Sequence, residues 1–185
     1  MNIKPENFRE KGEGIYYVED NIVQIGSEWV NFLKDQVGSC SKKRNRICSH
    51  VNTDDQLHEM LICVMAGSYI APAKHIKKAE SLHVIEGTAD IVFFDADGNI
   101  DEVTELTEPT SSGKFYYRMN QDIYHMLIVR SEFFVFHEAT LGPFDRSSTV
   151  FPDWAPEENN HREVLAFLQK VEKEIDGLKG GVNVL

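Results

Sequence analysis

The chain of 185 residues has the length of one domain with a substantial core, and its 42% hydrophobic and 26% charged residues are ordinary for a soluble globular protein. A net charge of −11 disfavours nucleic acid and anionic membrane as partners, because both require a basic surface. The N-terminus lacks the apolar segment of a signal peptide, and no stretch approaches the ~20 apolar residues of a membrane span. The three cysteines form no C-x-x-C pattern. We therefore expect a cytoplasmic protein with reduced thiols.

The N-terminal part predicts an extension that packs on the main domain, because so short a segment buries too little to stand alone. Residues 1–14 are polar and predict a loosely held arm. Two short apolar segments, 15–18 and 22–25, flank Glu-Asp-Asn and predict a hairpin. A helix with one apolar stripe is predicted from Ser27 to about Val37.

From residue 46 onward, short apolar runs alternate with turn sequences, without helical periodicity between them. The predicted strands are 57–65, 81–85, 91–94, 100–106, 114–119, 124–129 and 133–137. This pattern is typical of an all-β antiparallel sandwich or barrel. A helix over about 157–176 then covers the sandwich. The expected organisation is a hairpin-helix extension (1–45), a β domain (46–156) and a C-terminal helix and tail (157–185).

The segment from Gly67 to Gly87 carries one histidine and one acidic residue at a spacing that suits a metal site. Gly67, His75, Glu80 and Gly87 match the Gly, second His, Glu and Gly of the first cupin motif, which this segment resembles. Ala73 stands at the position of the first His of that motif. Alternate residues of a strand share a face, so a histidine at 73 would chelate together with His75. The sequence leaves open whether this alanine is natural or engineered.

A second segment, from Met119 to Val129, resembles the second cupin motif and supplies His125, although the usual Pro and Gly are replaced there. His75, Glu80 and His125 together give two imidazoles and one carboxylate. This ligand set binds Fe(II) and leaves coordination positions open. We therefore expect a divalent metal (Fe, Mn, Ni or Zn), bound with reduced affinity because a usual fourth ligand is absent.

Further segments narrow the resemblance to the WbuC-type cupin-fold metalloproteins, over roughly residues 44–157. The similar segments are 46–50, 57–60, 80–87, 115–118, 137–138, 142–144 and 154–156. The closing Gly-Pro-Phe and Trp-Ala-Pro are the most specific of these. The resemblance implies a cupin jelly roll with a divalent metal at its open end and a role in bacterial surface-polysaccharide (O-antigen) biosynthesis. Cupins commonly dimerise, so a homodimer is expected.

Four further residues are candidates for chemistry beside the metal. His50 or Glu138 would move a proton as a catalytic residue, and Arg46 and Tyr117 would bind a substrate. A surface ion pair explains Arg46 equally well, and Glu138 either orients a ligand imidazole or accepts N–H groups in a loop. Two other histidines are expected to be structural, the first satisfied in the core and the second on the outer face: His58 and His83.

Three functions remain open at this point. The first is a metal-dependent enzyme of the isomerase, epimerase or oxygenase type. The second is a module that binds a small sugar or anion without turnover. The third is a degenerate cupin, with a weakened or lost metal site, that serves in assembly. The fold alone does not choose among them.

Overall fold

The computed structural model describes residues 6–181 and contains 12 β-strands and two α-helices in that range. The elements in chain order are β1 (Phe8–Gly12), β2 (Ile15–Val18), α1 (Ser27–Val37), β3 (Arg44–Cys48), β4 (Leu57–Met65), β5 (Lys74–His75), β6 (Glu80–Glu86), β7 (Ala89–Phe94), β8 (Ile100–Leu106), β9 (Tyr116–Met119), β10 (Tyr124–Val129), β11 (Phe133–Leu141), β12 (Thr149–Val150) and α2 (His161–Gly181).

The strands form three sheets. A large sheet has the order β1-β2-β3-β4-β11-β6-β9, a small sheet has the order β10-β7-β8, and β5 pairs with β12 in a ribbon of two residues per strand. Val64 and Phe136 of the large sheet share one buried cluster with Ile91 and Leu127 of the small sheet, so the core lies between the two sheets. The predicted all-β sandwich is confirmed.

Each helix covers the outer face of one sheet. Leu33 and Val37 of α1 pack against Ile47 and Leu61 of the large sheet. The apolar stripe of α2 packs on the small sheet, through Val164, Val171 and Ile175. Because both helices bury an apolar stripe against a sheet, the predicted helix of the extension and the predicted covering C-terminal helix are both present. Neither described helix combines the length and the apolar content needed to cross a membrane.

The N-terminal hairpin differs from the predicted one. β2 pairs with β1, and residues 22–25 form no strand. The predicted loose arm is therefore wrong for residues 8–12, while residues 1–5 lie outside the described range. The polar sequence of β1 gives no apolar alternation, and its strand forms because β2 offers a free edge.

The extension is continuous with the large sheet. β2 pairs in parallel with β3, and β3 pairs with β4. The boundary at residue 45 stays a prediction, as do the limits of the other two parts.

Candidate metal centre

The three predicted metal ligands come from three different sheets. His75 lies in the β5–β12 ribbon, Glu80 begins β6 of the large sheet, and His125 lies in β10 of the small sheet. The bend between His75 and Glu80 passes through Lys77, whose φ is 56° and whose backbone N–H donates to Asp122 Oδ1 at 2.9 Å. One ligand atom from each of the three side chains lies within 4.8 Å of the others. The structure therefore brings the predicted set together.

Glu80 lies between the two imidazoles. Its Oε1 is 3.0 Å from His125 Nε2, and its Oε2 is 3.5 Å from His75 Nε2. The Nδ1 atoms point to other partners: that of His125 lies 2.9 Å from the Ile123 carbonyl oxygen, and that of His75 lies 3.2 Å from Thr149 Oγ1. Because a carbonyl oxygen only accepts, His125 Nδ1 carries a proton. Nε2 also donates, to Glu80 Oε1, so the His125 imidazole carries a proton on both nitrogens, and a metal ion ligated by Nε2 would take the place of that proton.

Burial and mutual attraction shift the pKa values of this cluster. Burial lowers the pKa of His75, against the weaker opposing effect of Glu80. Burial also disfavours the charged form of His125, but the hydrogen bond and charge of Glu80 outweigh it and raise the pKa. For Glu80, burial favours protonation, yet the hydrogen bond from His125 and the two imidazoles leave the pKa lowered. An ionised carboxylate beside a neutral His75 is therefore the resting state near neutral pH.

The cluster lies in a cavity of about 670 Å³ between the two sheets. Ala73, Tyr117 and Glu138 also line it. Burial, reinforced by the charge of Glu80, raises the pKa of Glu138 to about 7. Burial raises the pKa of Tyr117 well above its ordinary value, so its hydroxyl stays protonated. The cavity thus combines a ligand cluster with a carboxyl that exchanges a proton near neutral pH.

The structure brings Arg46, Tyr117 and Glu138 to this cavity, but it does not bring His50 there. The His50 ring stacks on His58, with ring centroids 4.1 Å apart, and its Nδ1 lies 3.2 Å from the Glu59 carbonyl oxygen. This geometry does not support the catalytic role expected for His50. Proximity in sequence to Arg46 favours the role, but the residues between Arg46 and Ile62 do not line the cavity.

Two other predicted residues have different outcomes. His83 is exposed on the outer face of the large sheet and contacts Phe115 and Tyr116, as expected. His58 is buried as expected, but its Nε2 has no hydrogen-bond partner within residues 6–181, so it is not a satisfied core histidine.

Among the residues of the cavity wall that sequence reasoning missed are Thr149 and Arg146. Thr149 contacts His75 and lies in β12, which has only two residues and gives no periodic signal. Arg146 precedes it in a single 3-10 turn and is exposed. A two-residue strand is too short for pattern analysis, so neither residue could be singled out.

The chemistry of this donor set fits a divalent first-row metal. Two imidazole nitrogens and one carboxylate oxygen lie within 4.8 Å of one another, and Glu80 is buried. Each imidazole also has a partner for its other nitrogen. Imidazole favours Fe, Ni, Cu and Zn, and carboxylate extends the range towards Mn. Three ligands leave positions for a substrate or water. Without a fourth ligand from residue 73, the geometry does not select one metal.

Comparisons with known proteins give partial likenesses. A family profile described as "Domain of unknown function (DUF6016)" matches residues 25–106. No curated protein sequence matches the chain.

Three solved structures illustrate the structural likeness. Oxalate decarboxylase from Bacillus subtilis is 19% identical, with a TM-score of 0.42 over 53% of this chain and 24% of that one. Procruciferin, an 11S globulin from Brassica napus, is 14% identical, with a TM-score of 0.40 over 48% and 21%. The capsular polysaccharide assembling protein CapF from Staphylococcus aureus is 18% identical, with a TM-score of 0.43 over 54% and 27%. The chain spans about a quarter or less of the length of each of these proteins.

Proposed function

We propose that this chain is a cupin-fold protein that binds a divalent metal and acts on, or binds, a small sugar-related or anionic metabolite. The observation that carries the proposal is the meeting of His75, Glu80 and His125, from three sheets, in one cavity. Bringing these three side chains together lowers the stability of the folded protein, because it buries an ionised carboxylate. A bound cation offsets that cost.

In this proposal His75, Glu80 and His125 hold the ion, which supplies Lewis-acid chemistry towards a hydroxyl, carbonyl or carboxylate, or activates dioxygen. Glu138 gives or takes a proton, because its pKa of about 7 keeps both forms populated at neutral pH. Tyr117 stays neutral and is suited to donate a hydrogen bond to a ligand oxygen.

The biological setting is a further part of the proposal. The resemblance to WbuC-type proteins supports a role in bacterial surface-polysaccharide biosynthesis, in the cytoplasm and as a homodimer. Its support is the set of sequence motifs, above all Gly142-Pro143-Phe144 and Trp154-Ala155-Pro156. Turnover of a panel of nucleotide sugars by the metal-loaded protein separates an enzyme from a binding module.

Metal analysis tests the proposed centre. We expect freshly purified protein to contain near-stoichiometric Fe, Mn, Ni or Zn by inductively coupled plasma mass spectrometry, and His125→Ala to lose it. His83→Ala is the matched control, because this histidine is exposed on the opposite face of the sheet. Metal content that survives His125→Ala would contradict the assignment of the ligands.

Ala73 favours a second candidate function, a degenerate cupin that serves as a non-catalytic binding or assembly module. The absence of metal in every preparation, with none regained by Ala73→His, is the result that this alternative expects.

A further inference from the structure

The cations of the cavity wall differ in how they are neutralised. Lys42, Arg44, Arg46 and Arg146 all line the cavity. Lys42 and Arg44 both form salt bridges with Glu158, that of Arg44 at 2.8 Å. Glu158 therefore forms salt bridges with two of the four cations. The charges of Arg46 and Arg146 are left for another partner.

Arg46 is the more informative of the remaining two. Its Nε is buried and has no hydrogen-bond partner within residues 6–181. The guanidinium is always charged, and a buried donor without an acceptor lowers the stability of the folded protein. The whole chain has a net charge of −11, yet no acidic residue in the described range forms a salt bridge with Arg46, although its charge opposes the rise in the pKa of the nearby Glu138. Nε itself is closed to solvent, but the side chain as a whole is half-buried and lines the cavity, so it can meet a ligand there.

The sheet places Arg46 and the metal ligands at two ends of one cavity. Arg46 lies on β3, opposite Ile62 of β4; β11 follows, and then β6, which carries Glu80. Three interstrand steps put the backbones of β3 and β6 about 14 Å apart across the sheet. Glu138 lies on β11 between them and faces the same cavity. A ligand that reaches both ends is larger than a single inorganic ion.

We infer that the ligand of this cavity carries an oxyanion, a carboxylate or a phosphate, that binds Arg46, and presents a hydroxyl or carbonyl at its other end to His75, Glu80 and His125. The guanidinium fork matches the two oxygens of such a group, and a charge-assisted hydrogen bond is the strongest kind available to it. Arg146, exposed at the mouth, attracts the anion on entry. The far end of the ligand rests on the proposed metal function, whereas the anion end is independent of it.

Binding of three probes tests the inference: D-glucuronate, D-glucose 6-phosphate and D-glucose, measured by isothermal titration calorimetry with metal-loaded and chelator-treated protein. At least one anionic probe is expected to bind the wild type, and neutral glucose at least tenfold more weakly. The two anionic arms tell a carboxylate from a phosphate. Arg46→Met is expected to weaken anion binding about tenfold or more.

Two controls accompany this variant. Arg118→Met removes an exposed arginine whose Nε pairs with Asn120, and it is expected to change nothing. Arg46→Met is also expected to melt a few degrees higher than the wild type without ligand, because it removes the unsatisfied buried donor. If Arg46→Met does not fold, Arg46→Lys keeps the charge but loses the fork, and an intermediate affinity is expected.

The inference is overturned if neither anion binds the wild type, if glucose binds as tightly as the anions, or if Arg46→Met binds them unchanged. Metal content distinguishes a failure of this inference from a failure of the proposed function. Arg46→Met is expected to keep its metal, whereas His125→Ala loses metal and keeps the effect of Arg46 on the anion.

Discussion

Ala73 and His125 lie directly opposite each other and exchange two backbone hydrogen bonds, from Ala73 N–H to His125 O at 3.2 Å and from His125 N–H to Ala73 O at 3.0 Å. Side chains of such a pair project to the same face, so the methyl group of Ala73 lies beside the imidazole of His125 and lines the cavity. The backbone thus provides a fourth ligand position, and the side chain at 73 leaves it without a donor atom.

Ala73→His is expected to raise the affinity for Zn(II) about tenfold or more, which corresponds to about 1.4 kcal/mol. The new imidazole adds a ligand without moving the backbone. Competition against a fluorescent chelator measures the affinity. Ala73→Leu is the matched control, because it adds bulk without a ligand nitrogen. Equal affinities of the two variants would contradict the geometry.

Glu138→Gln is expected to stabilise the protein at alkaline pH. The unfolded chain ionises this carboxyl near 4.5, whereas burial raises the pKa to about 7 in the folded protein. Between these values the unfolded state gains the charge first, so the wild type loses stability as pH rises, and the loss is complete above pH 7. Glutamine removes this cost, and the gain at pH 8 is on the order of 3 kcal/mol.

Urea unfolding in the presence of a chelator, at pH 5 and pH 8, measures that gain. The exposed Glu102→Gln is the control and is expected to show no such trend. A gain for Glu138→Gln that is equal at both pH values would show that ionisation is not its cause.

Gly87→Ala is expected to destabilise the protein by about 2 kcal/mol or more. Gly87 has a φ of +89°, and a Cβ at this position would lie 2.2 Å from the Phe133 carbonyl oxygen. Gly177→Ala is the matched comparison, because a Cβ there meets open space within α2, and we expect a gain of about 0.5–1 kcal/mol. Thermal melts of the two variants should shift in opposite directions. A shift of the same sign would contradict the steric explanation.

Asp90→Asn is expected to lower the free energy of unfolding by about 2–4 kcal/mol. Asp90 is fully buried and accepts from Arg130 Nε at 2.7 Å and from Lys179 Nζ at 2.6 Å, so it ties the end of α2 to β7. Hydrogen exchange should show lost protection in the last turns of α2. Glu174→Gln breaks only an exposed pair with Lys170, and it should cost less than about 0.5 kcal/mol.

The parts of the fold that sequence predicts best are those in which apolar residues lie between clear turn sequences. The predicted bounds 57–65, 100–106 and 124–129 coincide with β4, β8 and β10. The polar strand β1 carries no such pattern, so its pairing with β2 could not be predicted. That pairing depends on a neighbouring edge, which is a tertiary property.

The candidate site also has residues that the sequence predicts and residues that it does not. Motif spacing predicts that His75, Glu80 and His125 meet, and the structure agrees in geometry while their role stays a prediction. The position of His50 depends on a loop with no periodic signal, and the structure places this residue outside the cavity, so its catalytic role stays a prediction that the geometry does not support. The sequence also could not predict that Arg46 lines the cavity with its Nε unpaired. An arginine in a surface ion pair and an arginine in a cavity wall look alike in a strand sequence.

Because His75, Glu80 and His125 belong to three separate sheets, no peptide limited to one sheet carries more than one of them. Cutting the chain between the sheets would divide the donor atoms among fragments. Recovery of ion binding when such fragments are mixed would therefore report that the complete sandwich has reassembled, and not merely that its strands have re-formed.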